Sequence, residues 1–392
     1  MTVRYLHVIP SLNPDGGGPA EGVRQLAVAA SRLDHEVEIV TLDRPGSTWL
    51  TDVCPVHCVG PGYPKYGYAP GFVPWMQRNA ARFDAVVVNG LWQFHSLGSW
   101  RTLRNSSVPY YVFTHGMLDP WFKRQYPLKH LKKRLYWPWA EYRVLRDARA
   151  VLFTSEEERL LARQSFRRYQ ANEVVLSYGI QGFGGNAAAQ RELFLERFPQ
   201  VRGKRIVLFL GRVHPKKGCD LLIEAFASLA RLDTSLHLVV AGPDQTGMQA
   251  QLMELAKRLG VSDAMTWTGM LSGEVKTGAF RAAEVFALPS HQENFGIAVA
   301  EALSCGVPVL ISNKINIWRE IGNDQAGLVA DDTLQGTQQL LRGWLALSAE
   351  RRQQMARNAV ECFQRRFQID RVVTNLLSLF ALQGAPRESK AA

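Results

Sequence analysis

The strongest constraint on this chain is an alternation, sustained along its length, of short β-branched runs with longer segments of helical periodicity. A strand that leads into a helix before the next strand begins returns parallel to the first, so the pattern specifies βαβ units and parallel sheets covered by helices. The first half offers strands at Val3 to Ile9, Val37 to Leu42, Ala85 to Asn89, Tyr110 to Thr114, Ala150 to Thr154 and Val174 to Tyr178. The second half restarts the pattern at Arg205 to Leu210, Leu236 to Ala241, Met265 to Thr268, Val285 to Leu288 and Pro308 to Ile311. Gln181-Gly182-Phe183-Gly184-Gly185-Asn186-Ala187-Ala188-Ala189 lies between them, rich in Gly and small residues and without periodicity. We read residues 181–204 as the linker between two domains, 1–180 and 205–369. The fold class is therefore α/β, two Rossmann-like domains with parallel sheets facing across a cleft, and 392 residues at 46% hydrophobic suffice for two cores.

Several classes of protein are excluded early. No apolar run reaches the roughly 18 residues that a membrane-spanning helix needs. The amino terminus, Val3-Arg4-Tyr5-Leu6-His7-Val8-Ile9, carries Arg and His within its apolar stretch and reads as a first strand rather than a secretory signal. Five cysteines are scattered, with one close pair, Cys54 and Cys58, and no second pair at zinc-finger spacing. They read as reduced thiols of a cytoplasmic protein. The tail, 384–392, is polar and reads as frayed.

A net charge of +11 points to acidic partners, and its distribution narrows them. Trp121 to Arg149 holds nine Lys or Arg against two acids, with Trp121, Phe122, Tyr126, Leu128, Leu131, Leu135, Tyr136, Trp137 and Trp139 interleaved. That composition suits a segment lying on an anionic membrane surface; it also suits a solvated helix whose apolar stripe packs on its own domain. No nucleic-acid-binding motif accompanies it, so nucleic acid is not expected as a partner.

Three segments carry candidate chemistry. The first is Asn13-Pro14-Asp15-Gly16-Gly17-Gly18-Pro19-Ala20, between a strand and a helix, where a Gly run can present backbone N–H groups to phosphate. Its spacing does not match the dinucleotide fingerprint, and a plain turn would use the same residues. The second is Gly211-Arg212-Val213-His214-Pro215-Lys216-Lys217-Gly218, which follows the first strand of the second half. Arg212 offers a planar fork and Lys217 a mobile point charge, so the two can hold a diphosphate without a metal ion; a basic surface turn is the alternative. The third runs from Leu288 to Leu303, where Glu293 precedes the amides of Asn294, Phe295, Gly296 and Ile297, and Glu301 sits inside an apolar helix. A buried carboxylate requires donors, which ribose hydroxyls or a protein cation would supply.

With these residues in place, the chain resembles the glycosyltransferase family 4 enzymes, of the GT-B fold, whose Glu-x7-Glu motif corresponds here to Glu293 and Glu301. The resemblance runs from Gly16-Gly17-Gly18 through Gly211-Arg212 and Lys217-Gly218 to Pro289-Ser290 and Glu293-x-Phe295-Gly296. It implies that Arg212 and Lys217 grip the diphosphate of a nucleotide-sugar donor, that Glu301 binds its ribose, and that Glu293 and the following amides bind its sugar. It also implies a catalytic position for His115, in Thr114-His115-Gly116-Met117, and a last helix near 370–383 that returns to the amino-terminal domain. Ser177-Tyr178-Gly179-Ile180 departs from the Pro-Asn-Gly that many relatives carry at the hinge.

The expected reaction is transfer with retention at the anomeric carbon, from a UDP- or GDP-linked sugar to a glycan acceptor. A lipid-linked acceptor at the inner face of the cell membrane, in surface polysaccharide synthesis, suits the basic aromatic segment. No Asp-x-Asp pair exists in the chain, so neither a metal nor a further cofactor is expected. A nucleotide-sugar epimerase of the same architecture and a non-catalytic membrane- or RNA-binding module remain as alternatives.

Overall fold

The computed structural model describes residues 2–16, 18–50, 52–63 and 65–382. Gly17 of the glycine run and the tail 384–392 lie outside the described residues. The chain divides into two compact units, Met1–Gln181 with Ile369–Ala392, and Gly182–Gln368.

The first unit is built on the strands β1 (Arg4–Ile9), β2 (Glu36–Thr41), β3 (Val56–Cys58), β4 (Ala85–Asn89), β5 (Tyr110–Phe113), β6 (Ala150–Phe153) and β7 (Glu173–Val175). They form one parallel sheet in the order β3-β2-β1-β4-β5-β6-β7. Alternation along each strand feeds two separate cores: Leu6, Val8, Val86, Val88 and Val112 join one, and Tyr5, Ile9, Val87, Tyr111 and Phe113 join the other. A sheet covered on both faces explains why its strands read as continuous apolar runs. Each fully buried Val, Leu, Ile or Phe contributes roughly 1.5–3 kcal/mol relative to exposure. The helix Ile369–Leu382 belongs to this unit, where Ile369, Val372, Val373, Leu376 and Phe380 enter the second core and Arg32 bonds Asp370 at 2.8 Å.

The second unit repeats the plan with β8 (Arg205–Leu210), β9 (Leu236–Ala241), β10 (Met265–Gly269), β11 (Val285–Leu288), β12 (Val309–Ser312) and β13 (Gly327–Ala330), parallel in the order β10-β9-β8-β11-β12-β13. In both sheets the strand order reverses beside the first strand, between β1 and β4 and between β8 and β11. Open parallel sheets bind ligands outside the carboxyl ends of the strands at such a reversal.

Three expectations need correction. Residues 181–204 are not a structureless linker: Asn186 caps a helix, Ala187–Arg197, by accepting the amides of Ala188 and Ala189 at 3.0 and 3.1 Å, and Phe194 and Leu195 are buried. A run of Ala that looked aperiodic is the best helix-forming sequence there is, and Asn is a strong cap. Two strands, β3 and β13, had no counterpart among the expected ones, being three and four residues long at sheet edges. The ladder of β7 covers Glu173–Val175 rather than Val174 to Tyr178.

Candidate functional site

In the second unit, the turns that follow β8 and β11 meet at the reversal of the strand order. Pro215–Lys217 forms a 3-10 turn, whose His214 side chain accepts the Lys216 amide at 3.1 Å. Gly218 then adopts φ 66° at the start of the helix Cys219–Ala230, and a Cβ there would stand 2.3 Å from the Pro289 carbonyl oxygen. Only glycine lets the two turns approach this closely. The His291 amide donates to the Lys216 carbonyl at 2.8 Å, joining the turns by backbone as well. Gly242, after β9, has φ 143°, and a Cβ there would lie 1.8 Å from the Gly211 carbonyl oxygen.

This scaffold brings Lys217 against Glu293, Nζ to Oε1, with both side chains partly buried. The Glu293 backbone is fixed by its amide to Lys314 O at 2.9 Å and by its carbonyl to Asn316 N at 3.0 Å. Gly296, at φ 77°, starts the helix Ile297–Ser304, so Asn294, Phe295, Gly296 and Ile297 lie at or beside its amino terminus. Arg212 is on the same turn as Lys217, but its exposed guanidinium donates to Gln245 Oε1 at 3.1 Å rather than to either glutamate.

Glu301 is partly buried within Ile297–Ser304 and is not bare: Lys276, from the helix Gly273–Ala282, bonds its Oε1 at 2.6 Å. Burial raises the Glu301 pKa and Lys276 opposes the rise. The protein cation, one of the two partners considered for Glu301, therefore accounts for its burial without a ligand.

In the first unit, the ends of β1, β4 and β5 carry the corresponding groups. Gly16 closes the 3-10 turn Pro14–Gly16 and Gly18 opens the helix Gly18–Arg32. Asp43, just after β2, holds the chain entering this turn by accepting from Ser11 Oγ at 2.6 Å and the Leu12 amide at 2.8 Å. A cavity of about 400 Å³ opens here, with Asp43, Tyr63, Lys65, Asn89, Gln93 and Met117 in its lining.

His115 has φ 47°, stacks on Phe113 with ring centroids 5.3 Å apart, and places Nε2 3.3 Å from Asn89 Oδ1. Desolvation, aided by His95, pushes its pKa down to about 4, so the imidazole is neutral near pH 7. Its loop is braced by buried Glu158, which accepts from Thr114 Oγ1 at 2.5 Å, the Gly116 amide at 2.6 Å, and Thr154 through amide and hydroxyl at 2.7 and 2.6 Å. Glu158, Asp43 and Asn89 were not anticipated. Ser155-x-x-Glu158 is a capping-box signature at the start of the helix Glu156–Ala162, a legible signal for Glu158, although its carboxylate reaches past the cap to Thr154 and the His115 loop.

The basic segment folds as three short helices, Trp121–Gln125, Pro127–Tyr136 and Glu141–Asp147. His130 and Trp137 anchor it by stacking on Phe166 at 4.9 and 4.4 Å. Within Pro127–Tyr136, Tyr136 packs against the core of the unit, but the leucines do not: Leu128, Leu131 and Leu135 are 79%, 51% and 70% exposed. Among the described residues, no helix is long and apolar enough to cross a membrane, and no group of three or more His, Cys, Asp or Glu could hold a metal ion.

Comparison with known proteins agrees with this architecture. The family model described as glycosyl transferases group 1 matches residues 190–361, and that of the glycosyl transferase 4-like domain matches 17–179. Mannosylfructose-phosphate synthase of Agrobacterium fabrum is 27% identical over 361 residues, covering 83% of this chain and 78% of that protein. D-inositol 3-phosphate glycosyltransferase of Salinispora tropica is 31% identical over 205 residues, which cover 50% of this chain and 42% of the relative. Among solved structures, Anabaena Alr3699/HepE in complex with UDP and glucose superposes with a TM-score of 0.70 at 17% identity, covering 97% of this chain and 99% of that one. The two matching family models, the two parallel sheets and these relatives agree, and the chain belongs to the glycosyltransferase family 4 enzymes of the GT-B fold.

Proposed function

We propose that this glycosyltransferase takes its sugar from a nucleotide diphosphate donor held by the second unit and transfers it with retention of anomeric configuration. The observation that carries the reading is the contact between Lys217 and Glu293 at the reversal of the strand order. A diphosphate entering there would meet the Lys217 ammonium, the Arg212 guanidinium on the same turn and the amides that open Ile297–Ser304. Glu293 would turn to a sugar hydroxyl as Lys217 shifts to phosphate, and Glu301, already held by Lys276, would accept from the ribose.

In this mechanism the carbon–oxygen bond to the donor phosphate breaks, and the acceptor oxygen bonds to the same face of the anomeric carbon. The acceptor proton passes to the departing diphosphate, whose charge Arg212 and Lys217 neutralise in place of a metal. Neutral His115, in the first unit, can donate or accept a hydrogen bond without adding charge. The UDP and glucose bound to Anabaena Alr3699/HepE support a donor of this class.

For the acceptor, we favour a lipid-linked glycan in surface polysaccharide synthesis, met at the inner face of the cell membrane through Trp121 to Arg149. The exposed Leu128, Leu131 and Leu135 among lysines support this choice. A soluble phosphorylated small molecule is the second reading, favoured by the phosphate in the names of the two relatives described above and by Lys65 in the first unit's cavity. A thermal-shift screen across nucleotide sugars, followed by NMR of the product anomer, tests the reaction. Inversion, or stabilisation by no nucleotide sugar, counts against it; sedimentation with anionic but not neutral liposomes separates the acceptor readings.

A further inference from the structure

The first unit contains a second, larger cavity, of about 1020 Å³, that the transfer reaction does not use. Its walls come from the helices of the basic segment and from the turn after Glu156–Ala162, and they include Lys123, Arg134, Arg143, Arg167, Arg168 and Trp139. Two further arginines of the wall are already neutralised, Arg146 by Asp147 at 2.7 Å and Arg163 by Glu173. The other five cations make no ion pair among the described residues. Arg143 is instead held between two indoles, 5.9 Å from the Trp100 ring and 5.8 Å from that of Trp139.

Five cations without an ion pair line one concavity; solvent weakens their mutual repulsion at the exposed Lys123, Arg134, Arg167 and Arg168, and an anion in the cavity would be attracted to all five. Their field already reaches His130 in the cavity wall, whose pKa is lowered by burial and then by Lys123, Arg134 and Lys133. The positive surface also continues past the rim: an adjoining cavity of about 400 Å³ shares Arg143 and Arg146 and adds Arg104. Several arginines drawn from different elements around one cavity suit the several oxygens of a phosphate better than a single carboxylate. Beside this site stands the apolar row of Leu128, Leu131 and Leu135, with Trp139, 71% exposed, forming part of the wall itself.

We infer that this cavity binds the phosphate or diphosphate headgroup of an amphiphile, whose apolar part lies along Leu128, Leu131, Leu135 and Trp139. The site is distinct from the proposed donor site, which lies in the other unit, and it deepens the membrane reading above by naming the group recognised. Phosphate recognition here is independent of whether the donor site is correctly assigned.

The test uses the full chain, inorganic pyrophosphate, and vesicles of phosphatidylcholine with or without phosphatidate. Arg167→Glu/Arg168→Glu reverses two exposed side chains on the cavity wall, and Arg143→Gln removes the cation between the indoles. Calorimetry on Lys217→Ala, in which the donor site is weakened, should still show pyrophosphate binding, and either cavity change added to it should weaken that binding by about tenfold or more. Vesicles containing phosphatidate should retain the wild-type chain, release it to excess pyrophosphate, and fail to retain the cavity variants. Thermal melting of each variant checks that it is folded. Pyrophosphate binding without vesicle binding would keep the phosphate site and overturn the amphiphile. Loss of all pyrophosphate binding in Lys217→Ala, with cavity variants like wild type, would overturn the site and leave the donor assignment standing.

Discussion

Lys217 and Glu293 lie 76 positions apart and form an ion pair where the turns after β8 and β11 converge. Neither turn could reach the other with a side chain at position 218, because the Pro289 carbonyl fills that space. If the pair is the resting form of a diphosphate site, Lys217→Ala and Glu293→Gln should have different signatures. Lys217→Ala should lower kcat by roughly 10²–10³, comparable to the loss of one electrostatic stabiliser of a transition state. Glu293→Gln should chiefly raise KM for the donor sugar, and steady-state kinetics with a fixed acceptor distinguishes the two.

The pair Lys276 and Glu301 predicts a stability effect that Lys217 and Glu293 do not. Lys276→Ala leaves a partly buried carboxylate without its cation and should cost about 1–3 kcal/mol in chemical denaturation. Glu301→Gln in the same chain should recover part of the loss, since an amide needs no counter-charge. Additive losses in the double variant would contradict the coupling.

Glu141 sets a pH dependence in the first unit. It is buried, accepts from the Trp92 amide and Ser96 Oγ at 2.7 Å each, and desolvation pushes its pKa up to about 7 despite both donors and Lys133. A carboxyl whose folded value lies above its unfolded one favours the folded state in its neutral form. Its contribution is complete below the ordinary value of 4.5 and is lost as pH rises through about 7. Buried His7, His95 and His115, whose pKa values desolvation lowers, act in the opposite sense over the same range, so the Glu141 contribution is read as a difference: relative to Glu141→Gln, the wild type should lose on the order of 1–3 kcal/mol of stability as pH rises from 4.5 to about 7.

His115 should contribute no ionisation to the rate between pH 5.5 and 8, roughly the range in which an unperturbed histidine titrates. With its pKa near 4, it is neutral throughout. His115→Gln should lower kcat without changing nucleotide affinity, and Glu158→Ala, which releases the Gly116 amide and Thr114, should produce a smaller fall in kcat by loosening the same loop. A rate that follows a group titrating near 6.5 and loses that dependence in His115→Gln would contradict the neutral assignment.

Much of the fold was legible because a strand buried on both faces leaves an unmistakable apolar run; Ala85–Asn89 and Val285–Leu288 were read to the residue. The edges were not. Val56–Cys58 is half-buried along its length and Gly327–Ala330 mostly so, and neither has the β-branched density of an inner strand. The helix Ala187–Arg197 was hidden by its glycine-rich approach, although Asn186 before three alanines is a start signal.

At the site, residue types and their order along the chain were sufficient to single out Lys217 and Glu293, because charged groups on the turns after parallel strands stand out, whereas His115 was singled out only by the family resemblance. Partners distant in sequence were not readable. Lys276 lies on a helix whose sequence gives no hint of Glu301, and Asp43 and Asn89 act through backbone and ring atoms brought close only by the sheet register. The direction of the leucines in Pro127–Tyr136 was equally hidden, since an amphipathic period does not say which face the domain covers.

The central claim, that the turns after β8 and β11 form one nucleotide diphosphate site, is tested most directly by calorimetric titration of UDP and GDP into the wild-type chain and Lys217→Ala. The account predicts that one nucleotide binds the wild type and loses at least about tenfold in affinity in the variant, the loss expected for one charge-assisted phosphate contact. Equal affinity in the two proteins, or binding of neither nucleotide to the wild type, would contradict it.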